Sequence, residues 1–277
     1  MNPKTILVTG ATSGIGASTA TLLAKQGHTV LCHGRTQEKV DRAVAATKDA
    51  GGHDRVHGFV ADLSDLDSIR AMATAVQEAH PDLAVLVNNA GGWNPDRTTT
   101  KQGHETTFGV NHLAPFVLTL ALLPVLEKNK ARVVSVASML HTRGVIEMDD
   151  LQRSSRSYDG MGAYNDSKLA NVLFAAELAR RHPAITSNSL HPGVVKTHLA
   201  TDKPGFQAWF FRNILQRFFA LQADDGAATS VFLATDPSVD GVTGKYFAKC
   251  AEVTPSAAGQ DEAMAKRLWE ASEALVA

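Results

Sequence analysis

Tyr164 and Lys168 stand four positions apart in the sequence, so both side chains lie on one face if the segment is helical. A free tyrosine has a pKa of about 10 and is a poor base at neutral pH, but a neighbouring ammonium group favours the phenolate. We therefore expect Tyr164 to donate a proton to a carbonyl oxygen in one direction and to remove an alcohol proton in the other, with Lys168 lowering its pKa. A tyrosine and a lysine at this spacing also occur by chance on many helices, so the pair needs support from its surroundings.

Ser138 comes directly after the run 133–137, whose valines predict a strand. In open α/β sheets, ligands bind outside the carboxyl ends of the strands, and Ser138 is placed at such an end. Its hydroxyl is a candidate to hold the substrate oxygen. Ser138, Tyr164 and Lys168 together predict acid–base chemistry on a carbonyl compound or an alcohol.

A glycine-rich turn follows the first predicted strand and leads directly into a helix. Glycines allow the backbone to approach a pyrophosphate closely, and the N–H groups and positive dipole end of the following helix favour an anion. A tight turn for packing is the alternative, but the position at the start of a β-α-β series favours phosphate binding. The candidate cofactor residues of this turn are Gly10, Thr12, Ser13, Gly14, Ile15 and Gly16.

Short β-branched runs alternate with longer amphipathic runs along the chain. Six runs predict strands, at 6–8, 29–32, 56–60, 83–87, 133–137 and 186–190, and a further short strand is expected near 245–247. Helices are predicted at 15–26, 37–50, 66–79, 103–127, 162–181, 224–235 and 262–275. This alternation predicts an α/β fold of the Rossmann type, a doubly wound parallel sheet of about seven strands with helices on both faces. No linker or repeat divides residues 1–277, so a single domain is expected.

Three motifs together carry a resemblance to a known family. They are the Gly-x-x-x-Gly-x-Gly spacing of residues 10–16, the sequence Asn-Asn-Ala-Gly at 88–91 and the segment 164–168. With these motifs the chain resembles the short-chain dehydrogenase/reductase superfamily. The stretches 108–113, 167–174 with 177–181, and 190–197 look like its retinol-dehydrogenase-like branch. Members of that branch often carry an N-terminal membrane anchor, whereas this sequence starts at its first predicted strand, so a soluble member without an integral membrane segment is expected.

The resemblance implies roles for further residues. Ser138 would polarise the substrate carbonyl, Asn111 would belong to a proton relay through a bound water, and Lys168 would also contact the nicotinamide ribose. Asp62 and Leu63 would flank the adenine, although Asp62 could equally be only a cap for the next helix. The other implied cofactor contacts are Asn89, Ala90, Gly91, Tyr164, Pro192, Gly193, Val195 and Thr197.

The residues after the second predicted strand indicate which nicotinamide cofactor is used. An enzyme that uses NAD usually has an acidic residue there, which binds the ribose 2′-hydroxyl and repels a 2′-phosphate. This sequence instead has Arg35 and Thr36. The Arg35 guanidinium can form a bidentate contact with a 2′-phosphate, and Thr36 is a second donor. We therefore expect NADP(H) rather than NAD(H), although a solvated arginine at a strand end is the alternative.

Two further segments are expected to surround the substrate. The insertion 139–161, between Ser138 and Tyr164, is expected to shape the entrance to the site. The stretch 195–222 contains six aromatic residues between Phe206 and Phe219. We interpret it as a lid that encloses an apolar substrate and excludes water, and the alternative is an exposed amphipathic surface for a membrane or a protein partner.

Composition and charge argue against several classes of protein. The 277 residues include 27 Lys and Arg against 28 Asp and Glu, a formal net charge of −1, whereas a nucleic-acid-binding domain usually carries a basic face. The two cysteines, Cys32 and Cys250, are far apart in the sequence, so a disulfide framework is not expected and a reducing, cytoplasmic location is. The eleven histidines have no metal-ligand spacing, so no metal site is predicted.

These observations predict an oxidoreductase that uses NADP(H) to interconvert an apolar aldehyde or ketone and its alcohol. The alternative is an NADP-binding sensor or interaction protein that keeps the fold and performs little turnover. The presence of Asn111, Ser138, Tyr164 and Lys168 together argues against that alternative. An apolar small molecule is the expected partner, nucleic acid is not, and the resemblance also allows a homo-oligomer.

Overall fold

The computed structural model describes residues 2–193 and 223–277. Its centre is one sheet of eight strands in the order β3-β2-β1-β4-β5-β6-β7-β8. The strands are β1 (Thr5–Val8), β2 (Thr29–Gly34), β3 (Val56–Val60), β4 (Leu83–Asn88), β5 (Arg132–Val136), β6 (Thr186–His191), β7 (Tyr246–Ala248) and β8 (Ala251–Glu252). The first seven strands are parallel, which confirms the predicted doubly wound sheet of the Rossmann type.

The eighth strand is absent from the sequence prediction, which gave about seven. β8 has only two residues and pairs antiparallel with β7. Lys249 and Cys250 connect the two strands with φ values of 50° and 60°. A two-residue hairpin turn needs this left-handed conformation and usually obtains it from Asn or Gly, so the sequence carries no turn signal here.

Seven longer helices connect the strands within the described residues. They are α1 (Gly14–Lys25), α2 (Gln37–Gly51), α3 (Leu66–Ala79), α4 (Thr106–Lys128), α5 (Gly160–Arg181), α6 (Ala223–Thr235) and α7 (Glu262–Val276). Alternate strand residues face opposite sides of the sheet. Leu7 packs on one side with α3, α4 and α5, and Ile6 packs on the other side with α1 and α6. Each face of the sheet is therefore buried, as the continuous apolar strands predict.

The start of α4 differs from the prediction, which placed it at Gly103. The Glu105 carboxylate accepts hydrogen bonds from the backbone N–H groups of Thr107 and Phe108, both at 2.7 Å, and so caps a helix that begins at Thr106. Residues Gly109–Leu113 form a π-helical turn within α4. Such turns often lie at functional sites, and this one contains Asn111.

Helix α4 is long and apolar enough to cross a membrane by length and composition, with a mean hydropathy of 1.7. In this fold, however, 72% of the most apolar part is buried inside the protein. Phe116 and Leu122, for example, are fully buried in the core on one face of the sheet. The helix therefore packs as a core helix of the domain.

Helix α7 packs across α5, the helix that carries Tyr164 and Lys168. The Trp269 ring stacks on Phe174 of α5 with centroids 5.8 Å apart and meets Phe116 of α4 edge-on at 4.9 Å. These aromatic contacts hold α5 in place through one of its faces. Two predicted cofactor contacts, Val195 and Thr197, and the predicted lid at 195–222 lie outside the described residues.

Candidate active site

The carboxyl ends of the parallel strands bring most of the predicted residues to one edge of the sheet. Gly10 follows β1, Arg35 follows β2, Asn89 follows β4 and Ser138 follows β5 shortly after its last residue. The strand order reverses between β1 and β4, and ligands of doubly wound sheets bind in the crevice at this point. The predicted phosphate turn and the predicted catalytic serine therefore flank the same crevice.

Ser138 and Tyr164 are neighbours at this edge. The Ser138 hydroxyl interacts with the Tyr164 phenol closely enough to lower its pKa, and it accepts a hydrogen bond from the backbone N–H of Leu140 at 3.2 Å. Ser138 has an extended backbone conformation, while Tyr164 lies in the second turn of α5. A single substrate oxygen can therefore receive hydrogen bonds from both hydroxyl groups.

The protonation of Tyr164 differs from the expectation drawn from the sequence. Burial raises the pKa of its phenol to about 12, because the phenolate loses hydration, and the hydrogen bond with Ser138 opposes this shift only in part. With this pKa, Tyr164 is a neutral phenol at neutral pH. It is therefore ready to donate a proton to a carbonyl oxygen.

Lys168 is buried next to the Tyr164 ring. Its Nζ atom lies 5.5 Å from the ring centroid and donates a hydrogen bond to the Val136 carbonyl at 3.1 Å. Burial lowers the pKa of this ammonium group to about 8. A β-carbon added at Gly91 would lie 3.1 Å from the same Nζ atom, so the amine also faces the exposed backbone of residue 91. This is a place where a ribose hydroxyl could be bound.

Asn111 lies next to Lys168, but its side chain is used to hold the backbone. Its amide accepts a hydrogen bond from Gly92 N–H and donates to the Gly92 carbonyl, both at 2.8 Å. The amide nitrogen also donates to Ser167 Oγ at 2.9 Å. The observed role of the side chain is therefore to fix the loop that follows β4, and the relay implied by the resemblance stays a prediction.

The glycine-rich turn leaves no room for side chains at two positions. A β-carbon at Gly16 would lie 2.2 Å from the Gly10 carbonyl oxygen, and Gly10 itself has a φ of 68°. The N-cap of α1, Ser13, makes no side-chain capping bond, so the first N–H groups of this helix have no side-chain acceptor there. The turn therefore fits a pyrophosphate group, which would bind at the start of α1.

Asn89 supports this turn from the β4 side. Its side chain donates a hydrogen bond to the Thr9 carbonyl at 2.8 Å. The backbone N–H groups of Asn89 and Ala90 both donate to Thr9 Oγ1 at 2.9 Å. Asn89 therefore positions the predicted cofactor site by locking β4 to β1.

Arg35 and Thr36 are exposed directly after β2 and at the start of α2. Thr36 is the N-cap of α2 and makes no side-chain capping bond. Nearby, Lys39 and Arg42 line a cavity of about 390 Å³ together with Thr12 and Ser13 of the glycine-rich turn. Positive side chains and an uncapped helix start thus surround the place where a phosphate on the adenosine ribose would lie.

The other predicted cofactor residues lie around the same edge. Asp62 accepts hydrogen bonds from the backbone and the hydroxyl of Ser64, at 2.9 and 2.7 Å, so it orders the turn before α3. Leu63 is partly buried beside it. Pro192 and Gly193 follow β6, and Gly193 has a φ of 82°. Ile15 and Gly14 lie in the first turn of α1.

The insertion 139–161 is fixed to the start of α5. Arg153 donates two hydrogen bonds to Asp166 Oδ2, at 3.0 and 2.6 Å, and the backbone N–H of Val145 donates to Asp166 Oδ1 at 2.8 Å. Met139 and Val145 keep 48% and 55% of their surface exposed. The insertion therefore presents two exposed apolar side chains, of which Met139 directly follows Ser138 in the chain.

His141 is a buried residue at this site that the sequence analysis missed. The backbone N–H of Ser256 donates to its Nε2 atom at 3.1 Å. That nitrogen must therefore be the acceptor, and the proton lies on Nδ1, which contacts the Ser138 carbonyl at 2.8 Å. His141 thus holds the backbone of Ser138. The only signal in the sequence is that His141 lies three residues after Ser138. The role of His141 becomes visible only in the folded chain, where Ser256 lies next to its ring.

We expect replacement of His141 by Leu to lower kcat by about 10- to 100-fold, because a small displacement of a positioned group has an effect of this size. The cofactor Kd should be unchanged. His141→Asn keeps a donor near the Ser138 carbonyl and should retain most activity. Equal losses in the Leu and Asn variants, or a change in cofactor Kd, would contradict this role for His141.

Among the described residues, no group of three or more His, Cys, Asp and Glu side chains is arranged to hold a metal ion. Several histidines instead have structural partners. His112, for example, is fully buried, which lowers its pKa to about 3, and it contacts Ser272 of α7 at 2.9 Å.

Comparisons with known proteins agree with this arrangement. The sequence model of the family described as short chain dehydrogenase matches residues 4–207. Retinol dehydrogenase 14 of Mus musculus is 38% identical over 291 aligned residues, covering 100% of this chain and 86% of that protein. The crystal structure of an uncharacterised protein from Mycobacterium paratuberculosis has a TM-score of 0.79 and 34% identity, covering 99% of this chain and 93% of that chain.

A further solved structure contains a cofactor. It is a protein from Beutenbergia cavernae, described as an NAD(P)-dependent gluconate 5-dehydrogenase and solved with bound NADP at low occupancy. It is 28% identical to this chain, with a TM-score of 0.71, and the alignment covers 89% of this chain and 93% of that chain. A solved protein with the same fold therefore binds a dinucleotide.

The chain therefore belongs to the short-chain dehydrogenase/reductase superfamily, an oxidoreductase family that binds a nicotinamide cofactor. Within the superfamily it belongs to the retinol-dehydrogenase-like branch, since relatives of that name match it over its whole length. Both conclusions confirm the resemblance found in the sequence. The protein is accordingly an oxidoreductase that acts on CH–OH donors.

Proposed function

We propose that this protein uses NADP(H) to interconvert an apolar aldehyde or ketone and the corresponding alcohol. The observation that carries the proposal is the Tyr164 phenol beside the Ser138 hydroxyl, with the buried Lys168 amine next to the same ring. It provides a proton donor and a second hydrogen-bond donor for one substrate oxygen. The preference for NADP(H) rests on exposed Arg35 and on Lys39 and Arg42 near the glycine-rich turn.

In carbonyl reduction, Ser138 Oγ donates a hydrogen bond to the substrate oxygen and orients the carbonyl next to Tyr164. Tyr164 Oη then transfers its proton to that oxygen. The nicotinamide supplies the hydride that the carbonyl carbon gains. Lys168 stabilises the phenolate that remains on Tyr164, because its ammonium group lies over the same ring. In alcohol oxidation, Tyr164 takes the proton back.

The cofactor would be held by groups that the structure places along the crevice. The start of α1 would bind the pyrophosphate, and Lys168 with the exposed backbone at Gly91 would bind the nicotinamide ribose. Arg35 and Thr36 would bind the 2′-phosphate. A β-carbon at Gly91 would sit 3.1 Å from both Lys168 Nζ and Asn111 Oδ1, so glycine at this position keeps the approach open.

An apolar substrate is supported by two observations. Met139 and Val145 expose apolar surface in the insertion that follows Ser138. The relative retinol dehydrogenase 14 is named for an apolar alcohol.

The proposal is tested by following NADPH oxidation by the purified protein with aliphatic, aromatic and polyene aldehydes, and with sugars as polar controls. NADH is measured in parallel. Turnover of the long apolar aldehydes with NADPH preferred is expected. Turnover of the sugars alone would overturn the substrate class, and tight NADPH binding without any turnover would favour the sensor alternative.

The pH dependence follows from the protonation of Tyr164. Because burial raises the pKa of its phenol to about 12, the neutral form needed for reduction is already complete at pH 7. Oxidation needs the phenolate, whose fraction grows about tenfold per pH unit below the pKa. We expect kcat for alcohol oxidation to rise between pH 6 and pH 7.5, where Lys168 is still mostly protonated because burial lowers its pKa only to about 8, while kcat for reduction does not. A reductive rate that rises in parallel would assign the proton donor to another group.

We also propose a cytoplasmic location, supported by two free cysteines of which Cys32 is buried. Fractionation of cells that express the protein tests this location.

A homo-oligomer stays a prediction. Trp269 and other residues of α7 cover part of α5, so a second copy would have to use a surface that α7 leaves open, which light scattering of the purified protein can examine.

A further inference from the structure

His33 is a buried histidine in β2 whose ring lies between the glycine-rich turn and the end of β3. Its side chain is 3% exposed. The backbone N–H of Gly10 donates a hydrogen bond to Nδ1 at 3.1 Å, and Nε2 contacts the carbonyl oxygen of Ala61 at 3.1 Å. The ring therefore connects β1 and β3 across β2 at the edge where the cofactor would bind.

These contacts fix the tautomer of the ring. The Gly10 N–H can only donate, so Nδ1 must be the acceptor and the single ring proton must lie on Nε2, from which it is donated to Ala61. A doubly protonated ring would direct an N–H at Nδ1 against the N–H of Gly10. The observed arrangement is therefore compatible only with the neutral imidazole.

The backbone of the same strand adds to this connection. The His33 carbonyl accepts a hydrogen bond from Ala11 N–H at 2.9 Å, and the Gly34 carbonyl accepts one from Ala61 N–H at 3.1 Å. Two consecutive N–H groups of the turn, those of Gly10 and Ala11, are thus held by the one residue His33. Asn89 holds the turn from the opposite side through Thr9.

The surroundings of His33 shift the pKa of its imidazole in opposite directions. Burial lowers the pKa of the imidazole, whereas the hydrogen bond to Ala61 and the Asp62 carboxylate raise it, with burial the largest effect. Among the described groups on the neighbouring strands, Asp62 is the charged side chain that acts on it. Arg35 lies two residues further along β2 and is exposed to solvent. Protonation of His33 therefore requires acidic conditions.

We propose that His33 is a positioning residue for the cofactor, which holds the glycine-rich turn against the end of β3 only as a neutral imidazole and so makes cofactor affinity depend on pH. The inference rests on the cofactor-binding part of the proposed function. Without the ring, the Gly10 N–H would lose its acceptor, and on the β2 side the turn would be held only by the backbone hydrogen bond from Ala11 to the His33 carbonyl. Loss of the ring contacts would allow the turn to move relative to Asp62 and Leu63.

The experiment measures Kd for NADP+ and NAD+ by calorimetry with the full chain. His33→Leu removes both ring hydrogen bonds and is expected to weaken NADP+ binding about tenfold, since a buried donor and acceptor lose their partners. His33→Asn can still accept from Gly10 N–H and should stay within about threefold of the unmodified protein.

His28 provides a matched control. It is also buried, with 1% exposure, and its Nδ1 accepts a hydrogen bond from the backbone N–H of Lys4 at 3.1 Å. It lies at the opposite, amino end of β2. His28→Leu should therefore lower the melting temperature in the manner of His33→Leu while leaving both cofactor Kd values unchanged.

The pH profile separates positioning from a general structural role. As the pH falls below 6.5, the ordinary pKa of a histidine, the affinity of the unmodified protein for NADP+ should fall more steeply than that of His33→Asn, because His33 gains a proton only under acidic conditions and asparagine gains none. Equal pH profiles would overturn the inference, as would a His33→Leu variant that binds like His28→Leu. If His33→Leu fails to fold, the pH comparison with His33→Asn decides. If the unmodified protein binds neither nucleotide, the proposed function fails instead.

Discussion

Replacement of Tyr164 by Phe should reduce turnover in both directions by about 10³-fold or more, since general acid–base groups contribute about 10²- to 10⁴-fold. The variant keeps the ring that lies below the Lys168 amine at 5.5 Å and removes only the hydroxyl that contacts Ser138. Cofactor binding should therefore be nearly unchanged. The measurement is kcat with NADPH and an apolar aldehyde, together with the NADPH Kd.

Tyr158→Phe is the matched control for this prediction. The Tyr158 hydroxyl donates to Glu105 Oε1 at 2.9 Å and so attaches the insertion to the start of α4. Its loss should lower the free energy of unfolding, because one hydrogen bond to a charged group is worth about 1.5–3 kcal/mol of stability. It should leave kcat within about threefold, because this hydroxyl is bonded to Glu105 and not to the catalytic residues. Substantial activity in Tyr164→Phe would show that another group supplies the proton.

The central strands β1, β4 and β5 were predictable because they are nearly continuous runs of Val, Ile and Leu. Strands buried on both faces have this composition, and alternation with amphipathic helices leaves few arrangements. The strand β8 was not predictable, since its turn uses Lys249 and Cys250 in a left-handed conformation. The start of α4 was missed because the cap is the Glu105 side chain, whereas Gly103 looked like the natural boundary.

The candidate site was predictable where sequence neighbours are also neighbours in space. Gly10 and Gly16 close one turn, and Tyr164 and Lys168 share one helix face. The supporting residues could not be found in this way. His33 reaches Ala61 over 28 positions, and His141 reaches Ser256 over 115 positions. Ala61 and Ser256 contribute backbone groups to these contacts, and a backbone group leaves no residue-type signal in the sequence.

The pKa of Tyr164 is a property that the sequence predicted wrongly for a different reason. From the spacing alone, Lys168 was expected to lower it, because two charges four residues apart on a helix interact. The structure buries Lys168 and partly buries Tyr164, and this loss of hydration raises the pKa of the phenol and lowers that of the amine. Desolvation depends on what packs around the pair, including Val136 of β5, and no short sequence window contains that information.

Replacement of Arg35 by Asp should reverse the cofactor preference. The exposed guanidinium after β2 is the group that would pair with a 2′-phosphate, and a charge-assisted hydrogen bond is worth about 1.5–3 kcal/mol, or roughly 10- to 100-fold in affinity. Asp would repel that phosphate and accept a hydrogen bond from a free ribose hydroxyl. The NADP+ Kd should rise by this factor or more while the NAD+ Kd falls.

Arg55→Asp separates this effect from a change in overall charge. Arg55 lies just before β3, where its guanidinium donates to the Gly27 carbonyl at 2.8 Å, and it is therefore at the amino end of the sheet, opposite Arg35. The same reversal of charge there should leave the ratio of the two Kd values unchanged. If both variants shift the ratio equally, the preference comes from the field of the whole protein. If neither shifts it, Arg35 is a solvated arginine at a strand end and the preference for NADP(H) loses its main support.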